Sequence, residues 1–324
     1  MLFLGQIPPF VEKVEVRQVV LQVRVLARNG DPVLGLLQQN FRVLVDGQEV
    51  SLSSAAWVDA QSQARQTPPE LLAEHQKRLV VLLVQRDLQP ARARGLIAFK
   101  NYLARLVQTL PPQDRVALLF HDSRLHLIQD FTRHRQQVAQ LLTQQIFRAP
   151  PQGPADRDAP QLTTLLTQEQ QSSASTIEQA LWVLAQALSF LPEEKILLLV
   201  GWGVGRLSYP SFFLPDDYFK ALRLLEDNHV PVFSLDITQA DWHTLELGLT
   251  QVAERTGGFY AKTHLFPEEA FHRMLGSLRG YYELSFPRPP LPQGVHQVEV
   301  KLVGVDGMVL CRRSFADIPL EEVR

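Results

Sequence analysis

The segment Leu79–Gln89 places the strongest constraint on what this chain can fold into. It begins with an uninterrupted apolar run of Leu and Val, Leu79–Val84, which is typical of a strand buried on both faces of a parallel sheet. A polar turn, Gln85–Gln89, follows and is ended by Pro90, after which apolar residues at helical spacing predict a helix over 90–109. Because open α/β sheets bind ligands at the loops that follow their central strands, we expect a functional site at this turn.

Residues 77–280 continue this alternation of apolar runs and amphipathic segments. Strands are predicted at Leu79–Val84, Arg115–His121, Lys195–Val200, Val230–Asp236 and Gly257–Ala261, with an antiparallel edge strand at Leu125–Gln129. Helices are predicted at about 90–109, 134–148, 176–190, 216–228, 241–255 and 267–279. The pattern indicates an α/β fold with a doubly wound, mostly parallel sheet. The Pro- and Gln-rich stretch 149–174 is long for a loop, so we expect it to be functional or, in preference, mobile.

The two ends of the chain have the character of antiparallel β structure. Residues 13–58 alternate apolar and polar positions, and Asp46-Gly47 is typical of a tight hairpin. Residues 281–316 alternate in the same way around a second turn at Asp306-Gly307. Each segment is too small to fold alone, so we expect both to pair into one small β-sandwich that flanks the α/β domain. The polar residues 59–76 are predicted to be a linker.

Composition excludes several classes of partner. The net charge is −2 and basic residues are dispersed among acidic ones, so nucleic acid is not an expected partner. No apolar stretch is long enough to predict membrane insertion. A single cysteine, Cys311, excludes an intrachain disulfide, and we expect it in a buried strand. Met1–Phe10 is a poor signal peptide, which favours a cytoplasmic protein, or an exported one if the chain is a trimmed form.

Several short motifs occur in an order that resembles a known family. They are the turn Asn29–Val33, the strands Val80–Val84 and Asp114–Phe120, the segment Thr256–Tyr260 and the exit Gly280–Leu284. This order is similar to that of the bacterial VWFA-related proteins of the acidobacterial type, which contain a von Willebrand factor A domain. The resemblance implies a binding module with a divalent cation at the top of the sheet, held by an Asp-x-Ser-x-Ser motif, a threonine and a later aspartate. Such oxygen ligands suit Mg²⁺.

The chain departs from that cation-binding pattern at most positions. Gln85, Asp87 and Gln89 occupy the Asp and two Ser positions, and Gly201-Trp202-Gly203 stands where the family has Thr-Asp-Gly. Only Thr176 survives, and as the first residue of a capping box it also has a purely structural explanation. We therefore expect no cofactor and a degenerate cation site. The alternative left open is Mg²⁺ bound by an altered ligand set of Asp87 and Thr176.

Other chemistry has weaker support in the sequence. His121-Asp122-Ser123 allows a hydrolase as a second alternative, although a polar turn at the end of a strand is favoured because no nucleophile elbow accompanies it. Asp241-Trp242-His243 and His264 are interpreted as isolated residues of a helix start or loop. Gly201–Gly205 matches neither a phosphate-binding loop nor a dinucleotide fingerprint.

The interpretation favoured by the sequence is a non-catalytic module for protein–protein interaction, acting as a scaffold or in adhesion. Its unknown protein partner is expected at the carboxyl-terminal edge of the sheet, on Gln85, Arg86, Asp87, Gln89, His121, Asp122, Thr176, Trp202 and Arg206. Trp202 is either a lid on the core or an exposed anchor. One hypothesis is that Arg86 or Arg206 replaces the lost cation in receiving a partner's carboxylate, against the simpler interpretation that both are solvated.

Overall fold

β-Strands run through both ends and the middle of the chain. The computed structural model describes residues 18–59, 78–148, 153–208 and 211–317. Within these residues the strands are β1 Gln18–Leu26, β2 Phe41–Val45, β3 Gln48–Val50, β4 Ser54–Asp59, β5 Leu79–Gln85, β6 Arg115–His121, β7 Leu125–Thr132, β8 Lys195–Gly201, β9 Arg206–Ser208, β10 Ser211–Phe213, β11 Val232–Asp236, β12 Tyr260–Lys262, β13 Gly280–Pro287, β14 Gly294–Leu302, β15 Met308–Leu310 and β16 Ser314–Asp317.

Helices occupy the middle of the chain between the strands. They are α1 Pro90–Thr109, α2 Arg135–Gln144, α3 Leu162–Leu165, α4 Gln168–Ser173, α5 Ile177–Ser189, α6 Asp216–Asp227, α7 Glu246–Thr256 and α8 Pro267–Ser277, and a 3₁₀ turn spans Gln38–Asn40. None of the helices in the described part of the chain has the length and apolar character needed to cross a membrane.

A six-stranded sheet organises this middle part, with the strand order β12-β11-β8-β5-β6-β7. All neighbours are parallel except β6 and β7, which pair antiparallel at one edge. The residues of β5 and β8 are buried throughout because helices cover both faces of the sheet. The predicted α/β fold with a mostly parallel sheet is therefore confirmed.

Several predicted boundaries were wrong. The helix predicted over 134–148 ends at Gln144, and the edge strand predicted as Leu125–Gln129 continues to Thr132. The helix predicted over 241–255 begins only at Glu246, because the preceding residues form a loop that returns towards Asp236. The strand predicted from Gly257 begins at Tyr260, because Gly257 ends α7 in the left-handed conformation with φ of 85°. The strand predicted from Val230 begins at Val232.

The stretch expected to be mobile, 149–174, is folded over its described part, 153–174. Its helices α3 and α4 pack on the sheet because the fully buried carboxylate of Asp130 accepts hydrogen bonds from the N–H groups of Leu162 and Thr163 at 3.0 and 2.9 Å. Such a bond between distant residues leaves no local sequence signal. Residues 149–152 lie outside the described residues.

The two chain ends form two four-stranded antiparallel sheets, β15-β1-β13-β4 and β16-β14-β2-β3. Each sheet combines strands from both ends, since β1 pairs with β13 and β2 pairs with β14. Side chains of the two sheets form one apolar cluster that includes Leu21, Val43 and Tyr282. The N-terminal β structure continues through Asp59, the first residue of the predicted linker, and the remainder of that linker lies outside the described residues.

A buried arginine joins these sheets to the α/β part. Arg24 of β1 donates to the carbonyl of Ser277 in α8 at 3.1 Å. Within the α/β part, Arg78 donates to the carbonyl of Leu278 at 2.8 Å and to Asp114 at 2.5 Å. Cys311 lies one residue beyond β15 and is half-buried, so the expectation of a buried strand residue was wrong. Desolvation by the surrounding protein raises the pKa of its thiol to about 12.

Candidate functional site

A crevice of about 700 Å³ opens at the carboxyl-terminal ends of β5, β6 and β8. Its lining residues are Arg86, Asp87, Leu88, His121, Asp122, Ser123, Arg124, His126, Phe147 and Trp202. Five of the nine residues predicted for the binding face, Arg86, Asp87, His121, Asp122 and Trp202, are thus brought together here. The crevice lies where parallel strands of an open sheet end, the usual place for a ligand in such folds.

Gln85 lies beneath the crevice and ties β5 to the loop after β8. Its side chain is 2% exposed, and its Oε1 accepts hydrogen bonds from the backbone N–H groups of Trp202 at 3.0 Å and Gly203 at 3.3 Å. Gly201 has no side chain at the point where this amide approaches, since an added Cβ would lie 1.9 Å from Oε1. Gln85 therefore acts as a neutral bridge within the fold and is not available to a partner.

Arg86 is held in place by the opposite wall of the crevice. Its guanidinium forms an ion pair with Asp122 at 2.7 Å and donates to the carbonyl of Arg148 at 3.0 Å. Desolvation alone would raise the pKa of Asp122, but hydrogen bonds from Ser123, Arg86 and His126 outweigh it and keep that pKa well below its usual range. The guanidinium is thus fixed in place, and a partner's carboxylate would have to share it with Asp122.

Asp87 and Trp202 are linked through a residue that was not predicted, Arg92. The Arg92 guanidinium is 2.5 Å from the Asp87 carboxylate and stacks over the Trp202 ring at 3.4 Å from its centroid. Desolvation opposes ionisation of Asp87, but hydrogen bonds from the Gln89 N–H and from Arg92 lower its pKa. Trp202 is half-buried, packs against the apolar core beneath it and forms a cation–π stack with Arg92.

The adjacent residues His121 and Asp122 do not form a catalytic pair. The buried ring of His121 hydrogen-bonds the carbonyl of Ala174 at 3.1 Å, and desolvation lowers its pKa. The imidazole that contacts Asp122 belongs to His126, at 3.1 Å. Asp122 is thus divided between Arg86 and His126, and a hydroxyl nucleophile activated by His121 finds no support in this geometry.

The remaining predicted residues lie around the crevice without lining it. Thr176 caps α5, since its hydroxyl accepts the Gln179 N–H at 3.3 Å in a capping box. Gln89 precedes α1, and its exposed side chain makes no cap hydrogen bond. Arg206 begins β9 and is exposed.

A second group of polar residues, which sequence reasoning missed, lies at the end of β11. We call Asp236, His243, Glu246, Tyr260 and Lys262 the Asp236 cluster. The Asp236 carboxylate, 1% exposed, accepts hydrogen bonds from the His243 Nε2 and the Tyr260 hydroxyl, both at 2.7 Å. Glu246 is 2.7 Å from the Lys262 ammonium. Desolvation would raise the pKa of Asp236, but the bonds from His243 and Tyr260 make it lower than usual.

Strand register and one tight turn assemble this cluster. Ser234 and Asp236 of β11 pair with Tyr260 and Lys262 of β12, and alternate residues of a strand share one face. The loop after β11 then ends in a turn in which the Glu246 N–H donates to the His243 carbonyl at 3.2 Å. The available sequence signals were an aspartate at a strand end and the spacings His-x-x-Glu and Tyr-x-Lys, each too short to be specific alone.

Comparisons with known proteins give distant structural likenesses. The sequence matches no protein-family model and no curated protein at a significant level. Among solved structures, it is similar to proximal thread matrix protein 1 of the mussel byssus, at TM-score 0.43 and 12% identity over 64% of this chain and 48% of that one. It is also similar to a von Willebrand factor type A protein of Catenulispora acidiphila, at TM-score 0.43 and 10% identity over 93% of this chain and 74% of that one. A third similar structure is manganese-loaded TRAP of Plasmodium vivax, at TM-score 0.40 and 13% identity over 81% of this chain and 97% of that one. This chain thus spans about half the length of the mussel protein.

Proposed function

We propose that this chain is a von Willebrand A-like module for protein–protein interaction, that it is not an enzyme, and that it binds its partner in the crevice. The observation that carries the proposal is the composition of the crevice wall. Leu88 is 81% exposed on the rim, next to the rings of Phe147 and Trp202. An exposed leucine beside aromatic side chains in a concave site provides the apolar anchor point that protein interfaces use.

The cation that the family resemblance implies does not fit the residues present. Gln85 replaces the expected aspartate, and its oxygen already accepts two backbone N–H groups. The Asp87 carboxylate is held by Arg92 and by the Gln89 N–H, and the Thr176 hydroxyl caps α5. A cation would have to break these bonds while gaining one carboxylate, which is little charge for Mg²⁺. We therefore propose partner binding without a cation in the crevice.

The crevice offers chemistry suited to a peptide or a loop of a folded protein. Four of its charged groups are arranged as internal pairs, Arg86 with Asp122 and Asp87 with Arg92, so a partner need not supply a charge to satisfy these four. Such paired groups at a rim guide orientation more than they add affinity. The occupant that fits is a segment with one large apolar side chain between Leu88, Phe147 and Trp202.

The sheets at the chain ends would serve as the support for this module. We propose that residues 18–59 and 280–317 form a flanking β-sandwich and that residues 78–279 are the binding domain. The apolar cluster shared by the two sheets supports this division, and the buried bond from Arg24 to the carbonyl of Ser277 joins the two parts.

The experiment is a selection of displayed random peptides on the purified chain, followed by binding assays on variants. Selected peptides should contain a large apolar residue and should bind Leu88→Asp at least tenfold more weakly than the wild-type chain, since the change puts a charge in the apolar wall. The matched control is Phe190→Asp. Phe190 is 74% exposed, directly follows the last residue of α5 and does not line the crevice. Equal binding of the peptides by the Leu88 variant, or equal loss in both variants, would rule out the crevice as the binding site.

A further inference from the structure

The Asp236 cluster contains two carboxylates and an imidazole converging on one point. One oxygen each of Asp236 and Glu246 and one ring nitrogen of His243 lie within 4.8 Å of one another. Among the described residues, these three side chains form a group whose geometry could hold a metal ion. We propose that Asp236, His243 and Glu246 bind one divalent transition-metal ion of the Zn²⁺ type, at a site separate from the crevice.

The ligand set matches that type of ion. Zn²⁺ binds histidine nitrogen and carboxylate oxygen at about 2.0–2.2 Å, which places tetrahedral ligand atoms about 3.4 Å apart. His243 Nε2 and Asp236 Oδ2 are already 2.7 Å apart, and no two ligand atoms of the set are more than 4.8 Å apart. Shifts of about 1 Å in side chains would therefore close the site. A nitrogen ligand beside two carboxylates favours a transition metal over Mg²⁺, which prefers oxygen alone.

The position of Asp236 is fixed before any ion arrives. The Thr238 N–H donates to its Oδ1 at 2.8 Å, and the Thr263 hydroxyl donates to its backbone carbonyl at 2.9 Å. The other carboxylate oxygen, Oδ2, faces His243 and Tyr260. Supporting bonds of this kind orient metal ligands and are part of metal sites.

Further polar side chains, beyond those that form the ion pairs, lie around these ligands. The Tyr260 hydroxyl is 2.7 Å from Asp236 and 3.4 Å from Glu246, a place from which it can complete the coordination. Ser234, on the same face of β11 as Asp236, has a fully buried hydroxyl without a hydrogen-bond partner among the residues the structure describes. A buried unsatisfied hydroxyl carries a cost, and this one lies two residues before Asp236 on the strand that carries the cluster.

The structure also identifies what the ion would displace. The Lys262 ammonium is 2.7 Å from Glu246, and His243 Nε2 hydrogen-bonds Asp236 Oδ2 at 2.7 Å. A metal ion would take the place of the ammonium on Glu246 and of the hydrogen bond between His243 and Asp236. The side chains of His243 and Glu246 are 18% and 14% exposed, so an ion can reach them from solvent.

The test is equilibrium dialysis of the full chain against ZnCl₂, with the bound metal measured by mass spectrometry. We expect one equivalent of Zn²⁺ on the wild-type chain and at least about a hundredfold weaker binding in His243→Ala and in Glu246→Gln, since removing a ligand costs at least as much as removing a supporting residue. The control is His126→Ala, which removes an imidazole that also pairs with an aspartate, at 3.1 Å, but in the crevice. This variant should bind as the wild-type chain does.

A third variant separates a metal site from a network that serves only the fold. Lys262→Met removes the competing charge, so it should bind Zn²⁺ at least about tenfold more tightly. Less than stoichiometric binding by the wild-type chain, unchanged affinity in both ligand variants, or no gain in Lys262→Met would overturn the proposal. Circular dichroism without metal checks that each variant folds, and Glu246→Gln decides the outcome if His243→Ala does not. Peptide binding in the crevice is measured separately, so either proposal can fail alone.

Discussion

Replacing Gln85 by leucine, a side chain of similar size, should strongly destabilise the fold. The substitution removes the oxygen that accepts the N–H groups of Trp202 and Gly203. A buried donor left without a partner costs about 1–3 kcal/mol, and the longer bond, 3.3 Å, is expected at the low end. The two losses together predict a free energy of unfolding lower by about 2–4 kcal/mol.

Urea denaturation followed by far-ultraviolet circular dichroism measures this change, with the slope expected to stay constant if only stability has changed. The matched control is Gln89→Leu, in the same turn. The exposed side chain of Gln89 makes no cap hydrogen bond, so this variant should stay within about 0.5 kcal/mol of the wild-type chain. A Gln85→Leu variant as stable as the control would refute the idea that this amide joins β5 to the loop after β8.

Three further predictions follow from buried contacts. Because its pKa is lowered in the folded state, Asp122 should stabilise the fold above about pH 4, and this contribution should be lost as pH falls through the folded pKa. Arg86→Ala should therefore cost more stability at pH 6 than at pH 2, as measured by thermal melts. Gly95→Ala should lower the unfolding free energy by about 3 kcal/mol or more in urea, since the new methyl would lie 1.9 Å from a backbone carbonyl oxygen. Asp130→Ala should release the segment 153–174, seen as faster proteolytic cleavage there than in the wild-type chain.

The elements predicted best are those whose burial is indicated by a local pattern of apolar residues. Leu79–Val84 and Arg115–His121 are apolar almost throughout, and both are strands in the centre of the sheet. The helix 90–109 has regular apolar spacing and a proline at its start, and it has the predicted bounds. In these segments local pattern and tertiary environment favour the same structure.

The elements predicted poorly depend on bonds between residues far apart in the sequence. The start of α7 was placed too early because His243 belongs to a loop that bonds back to Asp236. For the same reason His243 was interpreted as isolated, although it bonds to Asp236, which the strand register places beside Tyr260 and Lys262. The sequence brought five of the nine predicted residues to one crevice but not the partners of its charges, since Arg92 lies within a helix pattern.

The pairing of the two chain ends has a consequence for synthesis on the ribosome. The hydroxyls of Ser54 and Ser285 share a hydrogen bond at 2.6 Å across 231 positions of sequence. At translation rates of about 5–20 residues per second, β4 would wait roughly 10–50 s for its partner β13 to emerge. During that time β1 and β4 expose unpaired strand edges, the surfaces on which neighbouring nascent chains aggregate. For this chain the vulnerable period thus comes before folding is complete, and chaperones that cover strand edges early should raise its yield more than later stabilisation of the native state.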